Sequence, residues 1–160
     1  MRETVQREIK FYRSGDDFGW MSNFGRFPIE LDDKDWPTSE HYYQAQKYLD
    51  PELQEKVRLA SGPGMAAMIG RDKDLPLRED WEEIKDDVMR KVVAAKFAQH
   101  PELAYELVAT GDAILIEHTK NDSYWGDGGN GRGKNMLGVV LMEVRDGLRG
   151  EHNPEEGNLD

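Results

Sequence analysis

The chain has no cysteine, which excludes disulfides, thiolate nucleophiles and cysteine-ligated zinc or iron–sulfur centres. It has no apolar run near the ~20 residues that a membrane-spanning helix needs. The charged first ten residues lack the apolar stretch of a signal peptide, so the expectation is a soluble, cytoplasmic protein without membrane association. Basic residues are outnumbered: 21 Lys and Arg against 32 Asp and Glu give a formal net charge of −11. A field of that sign argues against non-specific affinity for nucleic-acid backbones or anionic lipid, and a nucleic-acid substrate would need a locally basic pocket. Histidine is scarce as well, with residues only at 41, 100, 118 and 152 and no ligand spacing among them. Neither a metal nor a cofactor is expected.

What is present suffices for a core. A hydrophobic fraction of 38%, including four tryptophans, sits in 160 residues of uniform composition, enough to bury ~68–70% of the unfolded surface in one domain. Alternation at residues 8–12 and 27–31 predicts two short strands, and residues 32–33 a turn. Thr38 or Ser39 caps a helix over 38–49. Asp50 with Pro51 opens a second helix that ends at Gly62, and 63–71 forms a third. The strongest periodicity runs from the N-cap Asp80 to about Gln99, with Trp81, Ile84, Val88, Val92 and Ala95 on one stripe and Met89, Val93 and Phe97 beside it. Pro101 starts a further helix that Gly111 stops, 113–117 reads as a buried strand, and the last amphipathic helix begins at Met136. The sum is an α+β fold: one compact, predominantly helical domain over 1–150 with a small sheet. Residues 151–160 form an acidic, frayed tail.

Two stretches carry polar residues in patterns that suit chemistry. Glu40, Gln44 and Lys47 stand at i, i+4 and i+7, so an acid, an amide and a cation share one helix face; a plain solvated stripe has the same spacing. The run WGDGGNGRGKN at 125–135 places five glycines, Arg132 and Lys134 before a helix. Glycines let backbone approach a ligand, and helix N-terminal amides favour phosphate, so Arg132, the loop amides and Asn135 form a candidate anion cradle. Residues 128–135 come close to a nucleotide-binding P-loop but lack its hydroxyl residue, because Asn135 stands there. Trp36 and Trp125 adjoin these loop-to-helix transitions and, with Phe24, are candidates to wall a pocket or stack on a base.

Taken in order, WMSNF at 20–24, WPTSEHYYQAQK at 36–47, Lys96-Phe97 and Trp125-Gly126 resemble the NADAR, or YbiA-like, family over roughly residues 9–149. The resemblance implies a compact α+β fold and hydrolysis of an N-glycosidic bond to ribose. The implied substrates are phosphoribosylamino-pyrimidine intermediates of riboflavin synthesis or, alternatively, ADP-ribose on guanine bases; a non-catalytic ADP-ribose reader is a further alternative. No stable protein partner is implied. Residue by residue, it points at Ser22, Asn23, Glu40, Lys47, Trp125 and Gly126, with Asp122 as the second acid and Asp127 as its competitor. Under this reading Glu40 activates water or stabilises the cation, Asp122 or Asp127 assists, and Lys47 holds ribose or phosphate.

Overall fold

The computed structural model describes residues 6–151, with the side chain of the last of these excepted; of the predicted tail at 151–160, Glu151 ends the last helix and 152–160 lie outside the described residues. Strand β1 (Glu8–Phe11) is followed by a single 3-10 turn (Gly19–Met21), then by β2 (Ile29–Leu31) and β3 (Lys34–Trp36). Helices α1 (Ser39–Ala45), α2 (Pro51–Arg58), α3 (Pro63–Gly70), α4 (Trp81–Gln99) and α5 (Pro101–Ala109) come next, then β4 (Ile114–Glu117) and α6 (Met136–Glu151). This is the expected α+β fold with a helical body.

The sheet is in fact two separate pairs. β1 and β4 run parallel with Ile9 opposite Leu115, whereas β2 and β3 form an antiparallel hairpin. Asp32 and Asp33, at φ 54° and 63°, make the tight turn between them, a conformation that short Asp side chains tolerate. β3 escapes sequence reading because Lys-Asp-Trp shows no alternation, and its pairing is dictated by that turn.

Helix α4 packs against α1, α5, α6 and β2 and so sits at the centre. Its buried face carries Trp81, Met89, Val92, Val93, Lys96 and Phe97, while Ile84, Val88 and Ala95 are only partly buried. The buried stripe is therefore rotated from the predicted one toward the 89–93–97 line. Asp80 occupies the N-cap position but makes no capping bond; its carboxylate instead accepts from Arg78 Nε at 2.6 Å. Helix α1 is shorter than predicted, since Lys47 and Tyr48 close i→i+3 bonds onto Gln44 and Ala45. All seven of its residues are buried against α2, α3 and α4, so its polar stripe is not a solvated one. No helix of the described residues is long and apolar enough to cross a membrane.

Candidate active site

The start of α1 is locked from two sides. Thr38 Oγ1 caps it by accepting from His41 N, and the backbone of Asn23 accepts from Glu40 N at 3.2 Å. Ser39 Oγ donates to Asn23 Oδ1 at 2.9 Å. Beneath this segment lies Lys96, 1% exposed, whose ammonium donates to the carbonyls of Trp20 at 2.6 Å and Ser22 at 3.1 Å. Burial pushes Lys96 down to about 7. The motif residues at 20–24 are thus held against α1 and α4 by buried polar groups, and a buried carbonyl left without its donor costs ~1–3 kcal/mol.

This arrangement opens a cavity of about 660 Å³, within the range of small-molecule sites. Ser22, Asn23, Phe24, Glu40, Gln44, Lys47, Asp122 and Trp125, all predicted, line it. Glu40 is 8% exposed and accepts from Gln44 Nε2 at 2.8 Å. Burial raises its pKa above the usual carboxyl range; Asp122 adds to that, while Gln44, Lys47 and Arg71 oppose it. Lys47 donates to Gly70 O at 2.9 Å, and burial lowers its pKa against the pull of Glu40. Trp125 Nε1 donates to Tyr43 OH at 3.0 Å, with the two rings edge to face, so the indole is a fixed wall. Asp122 Oδ1 accepts from the amides of Tyr124 and Trp125, both at 2.9 Å, which folds the loop and presents its carboxyl group to the cavity.

Sequence reasoning missed Glu117, Tyr43, Arg71 and Arg13, which line the same cavity. Glu117 ends β4, and burial first, then the neighbouring Asp122, Glu40 and Asp127, raise it to about 8. The available signal was an acid closing an apolar strand at its carboxyl end, the edge of a parallel sheet where ligands bind.

Five predicted ligands are not at this cavity. Trp36 is 3% exposed, stacks edge to face on Tyr42 and donates to Leu31 O; it is core beneath the hairpin. Gly126 is a packing glycine, since a Cβ there would meet Asp122 O and Thr119 Cγ2 at 2.8 Å. Asp127 faces the other side of β4 and is used up inside its loop: Oδ2 accepts from His118 Nδ1 at 2.7 Å, and Oδ1 from the amides of Thr119 and Gly129. Burial alone would raise Asp127, but those donors outweigh it and lower its pKa. Asn135, in the left-handed region at φ 53°, donates to Leu115 O and accepts from Glu117 N, both at 2.9 Å, bridging β4 as a neighbouring strand would. Arg132 is exposed and lines neither cavity. Nor do the amides at the start of α6 form a cradle. Gly133, Lys134, Asn135, Met136 and Leu137 donate to Asp127, Ser123, Gly126, Tyr124 and Trp125 carbonyls, so these five amides are not free for a phosphate.

Of the two acids left open across the loop, Asp122 is the one at the cavity. Among the described residues no group of three or more acidic or histidine side chains is arranged to hold a metal ion. The cavity collects three carboxyl groups (Glu40, Glu117 and Asp122), three cations (Lys47, Arg71 and Arg13) and an aromatic wall. A proton donor and a buried anion in one cleft are what cleavage of a bond to a sugar anomeric carbon requires.

Comparison with known proteins gives the same chemistry. The NADAR domain model matches residues 10–149. The N-glycosidase YbiA of Escherichia coli is 55% identical over 92% of this chain and 91% of its own length. The NMR structure of the E. coli protein YbiA superposes with a TM-score of 0.85 at 54% identity, covering 92% of this chain and 89% of that one. A riboflavin biosynthesis protein of Vibrio vulnificus is 45% identical over 94% of this chain, a match that takes up 41% of its length. With the family model spanning nearly all of the described residues and these relatives aligned along them, the chain is an N-glycosidase and belongs to the NADAR domain family.

Proposed function

We propose that the bond cleaved joins a base nitrogen to C1′ of a phosphorylated ribose in a small metabolite, of the phosphoribosylamino-pyrimidine kind. The observation that carries this reading is the unequal surroundings of two acids in one cavity. Glu117 is raised by burial and by the carboxylates around it, whereas at Glu40 the effect of burial is opposed by Gln44, Lys47 and Arg71, which favour its ionised form. Carboxyl groups that interact in one cavity titrate as a unit, and the shared proton favours the member with less cationic support. The charge therefore stays on Glu40 and the proton on Glu117.

Breaking the C1′–N bond sends its electron pair to the base and leaves oxocarbenium character on the ribose. Glu40 stabilises that cation and accepts a proton from the attacking water, which forms the new C1′–O bond. Glu117 gives its proton to the departing nitrogen. Asp122 reinforces the field that keeps Glu117 neutral, and Trp125 walls the base side. Removing the ADP-ribose of a modified guanine uses the same chemistry, but a net charge of −11 disfavours a long polyanion.

The test is a side-by-side incubation of the protein with a phosphoribosylamino-pyrimidine and with guanine-ADP-ribosylated oligonucleotide, with products followed by mass spectrometry. Free aminopyrimidine and ribose 5-phosphate as the faster products are expected. Release of unmodified nucleic acid alone would assign the other substrate class.

A further inference from the structure

If the substrate is a ribosyl phosphate, as the proposed function has it, something must receive the phosphate, and the amides of residues 133–137 that lead into α6 are bonded within their own loop. The cations at the cavity are differently placed. Of the ten arginines among the described residues, four find carboxylates: Arg58 pairs with Glu55, Arg78 with Asp80, Arg90 with Asp87 and Glu143, and Arg149 with Asp112, while Arg7, Arg26, Arg132 and Arg145 pair with none and do not line this cavity. Arg71 and Arg13 line the cavity and, among the described residues, enter no such pair, although acids outnumber bases by 32 to 21.

Both have fixed backbones beneath free side chains. Arg71 caps α3, its amide donating to Ala67 O and Met68 O. The preceding carbonyl, Gly70 O, holds the Lys47 ammonium, which sets Arg71 next to the lysine. The field of Arg71 reaches both Glu40 and Lys47. Arg13 lies in a turn closed by Asp16, whose amide donates to Arg13 O at 3.0 Å and whose Oδ2 accepts from Arg13 N at 3.0 Å. Gly19 allows this turn to lie against the 3-10 segment, since a Cβ there would run into the Ser14 and Arg13 carbonyls. An unpaired guanidinium is a fork of donors that matches the oxygens of a phosphate ester.

We propose that Arg71 and Arg13 together form the phosphate-receiving subsite of this cavity, specific for an ester phosphate on the ribose of the substrate. The subsite is built from the end of α3 and the turn after β1, and it takes the place that sequence pattern gave to Arg132. It makes the enzyme discriminate by phosphate rather than by base alone.

Steady-state kinetics on a matched pair tests this: an N-ribosyl 5′-phosphate and the same compound after dephosphorylation. Arg71→Ala and Arg13→Ala are each expected to lower kcat/KM on the phosphorylated member by roughly 10- to 100-fold, mainly through KM, the size expected for a hydrogen bond to a charged group. On the dephosphorylated member Arg13→Ala should stay within about twofold of the wild type, and Arg71→Ala, whose charge also supports Glu40, should lose clearly less than it does on the phosphorylated member. Arg71→Lys should fall between the wild type and Arg71→Ala, because charge survives without the fork. Equal losses on both substrates, or no loss on either, would overturn the proposal. Should the wild type cleave neither member, the proposed substrate falls but the subsite is still read by calorimetric titration with inorganic phosphate and pyrophosphate. Binding of either that weakens ~10-fold or more in both variants supports it, with tighter pyrophosphate binding marking a diphosphate substrate and tighter phosphate binding a monoester. Absence of binding, or binding that ignores both arginines, overturns it.

Discussion

Glu117 and Glu40 occupy one cavity, yet their neighbours give them opposite tasks. Because Glu117 is raised to about 8, it keeps its proton through neutral pH and loses it above, so kcat/KM should fall as pH rises through about 8. In Glu117→Gln the acid is gone, and kcat should drop by about 10²- to 10⁴-fold. The same shift has a stability sign. A carboxyl that holds its proton more tightly when folded contributes stability below its ordinary range, and that contribution is lost as pH rises through 8. Glu117→Gln should therefore melt higher than the wild type at about pH 9, with the gap closing at about pH 5, in paired thermal scans. A variant that is inactive yet also less stable at high pH would contradict the assignment. Gly70 bears on Glu40 in turn. A Cβ at Gly70 would collide with the side-chain amide of Gln44, whose Oε1 is buried there without a partner. Gly70→Ala should push Gln44 off Glu40, and because that bond favours the ionised carboxylate, the acidic limb of the kcat/KM profile should move to higher pH.

At the scale of elements, the loop between β4 and α6 is where pattern and structure part. Its length and its glycines were legible as a functional signal, and the Trp125 end does line the cavity. The other end folds around Asp127 instead, with Gly128, Gly129 and Gly131 at φ of 73°, 82° and 78° making that wrapping possible. Glycine-rich loops before a helix bind anions only when the amides stay free, and no sequence pattern records where amides go. Asn135→Ala removes both bonds to β4 and leaves Leu115 O and Glu117 N without partners, at a cost of about 1–3 kcal/mol for each buried group. Chemical denaturation should show that loss, together with a fall in kcat because Glu117 loses its backbone anchor. Helix α1 was legible in position and cap, and its acid-amide-cation face does turn to the cavity. Its burial on every side was not, because α2, α3 and α4 cover it by long-range packing.

For the whole molecule, composition set the class, and resemblance over roughly residues 9–149, which the family model matches at 10–149, carried the chemistry. What neither held was the pairing of β1 with β4 across more than a hundred residues. That pairing sets the turn bearing Arg13 and the strand end bearing Glu117 at one cavity. Strand partners far apart in sequence leave no local trace, so Arg13 carried no signal and Glu117 only that of an acid closing an apolar strand. The remaining question is which side of β4 performs the reaction. The most direct measurement is kcat/KM on the phosphorylated ribosyl substrate for Glu40→Gln and Arg132→Ala, with both folds verified by thermal scan. The acid cavity predicts a loss of about 10²- to 10⁴-fold for Glu40→Gln and a value within about twofold of the wild type for Arg132→Ala. Near-normal turnover in Glu40→Gln, or collapse in Arg132→Ala, would contradict it.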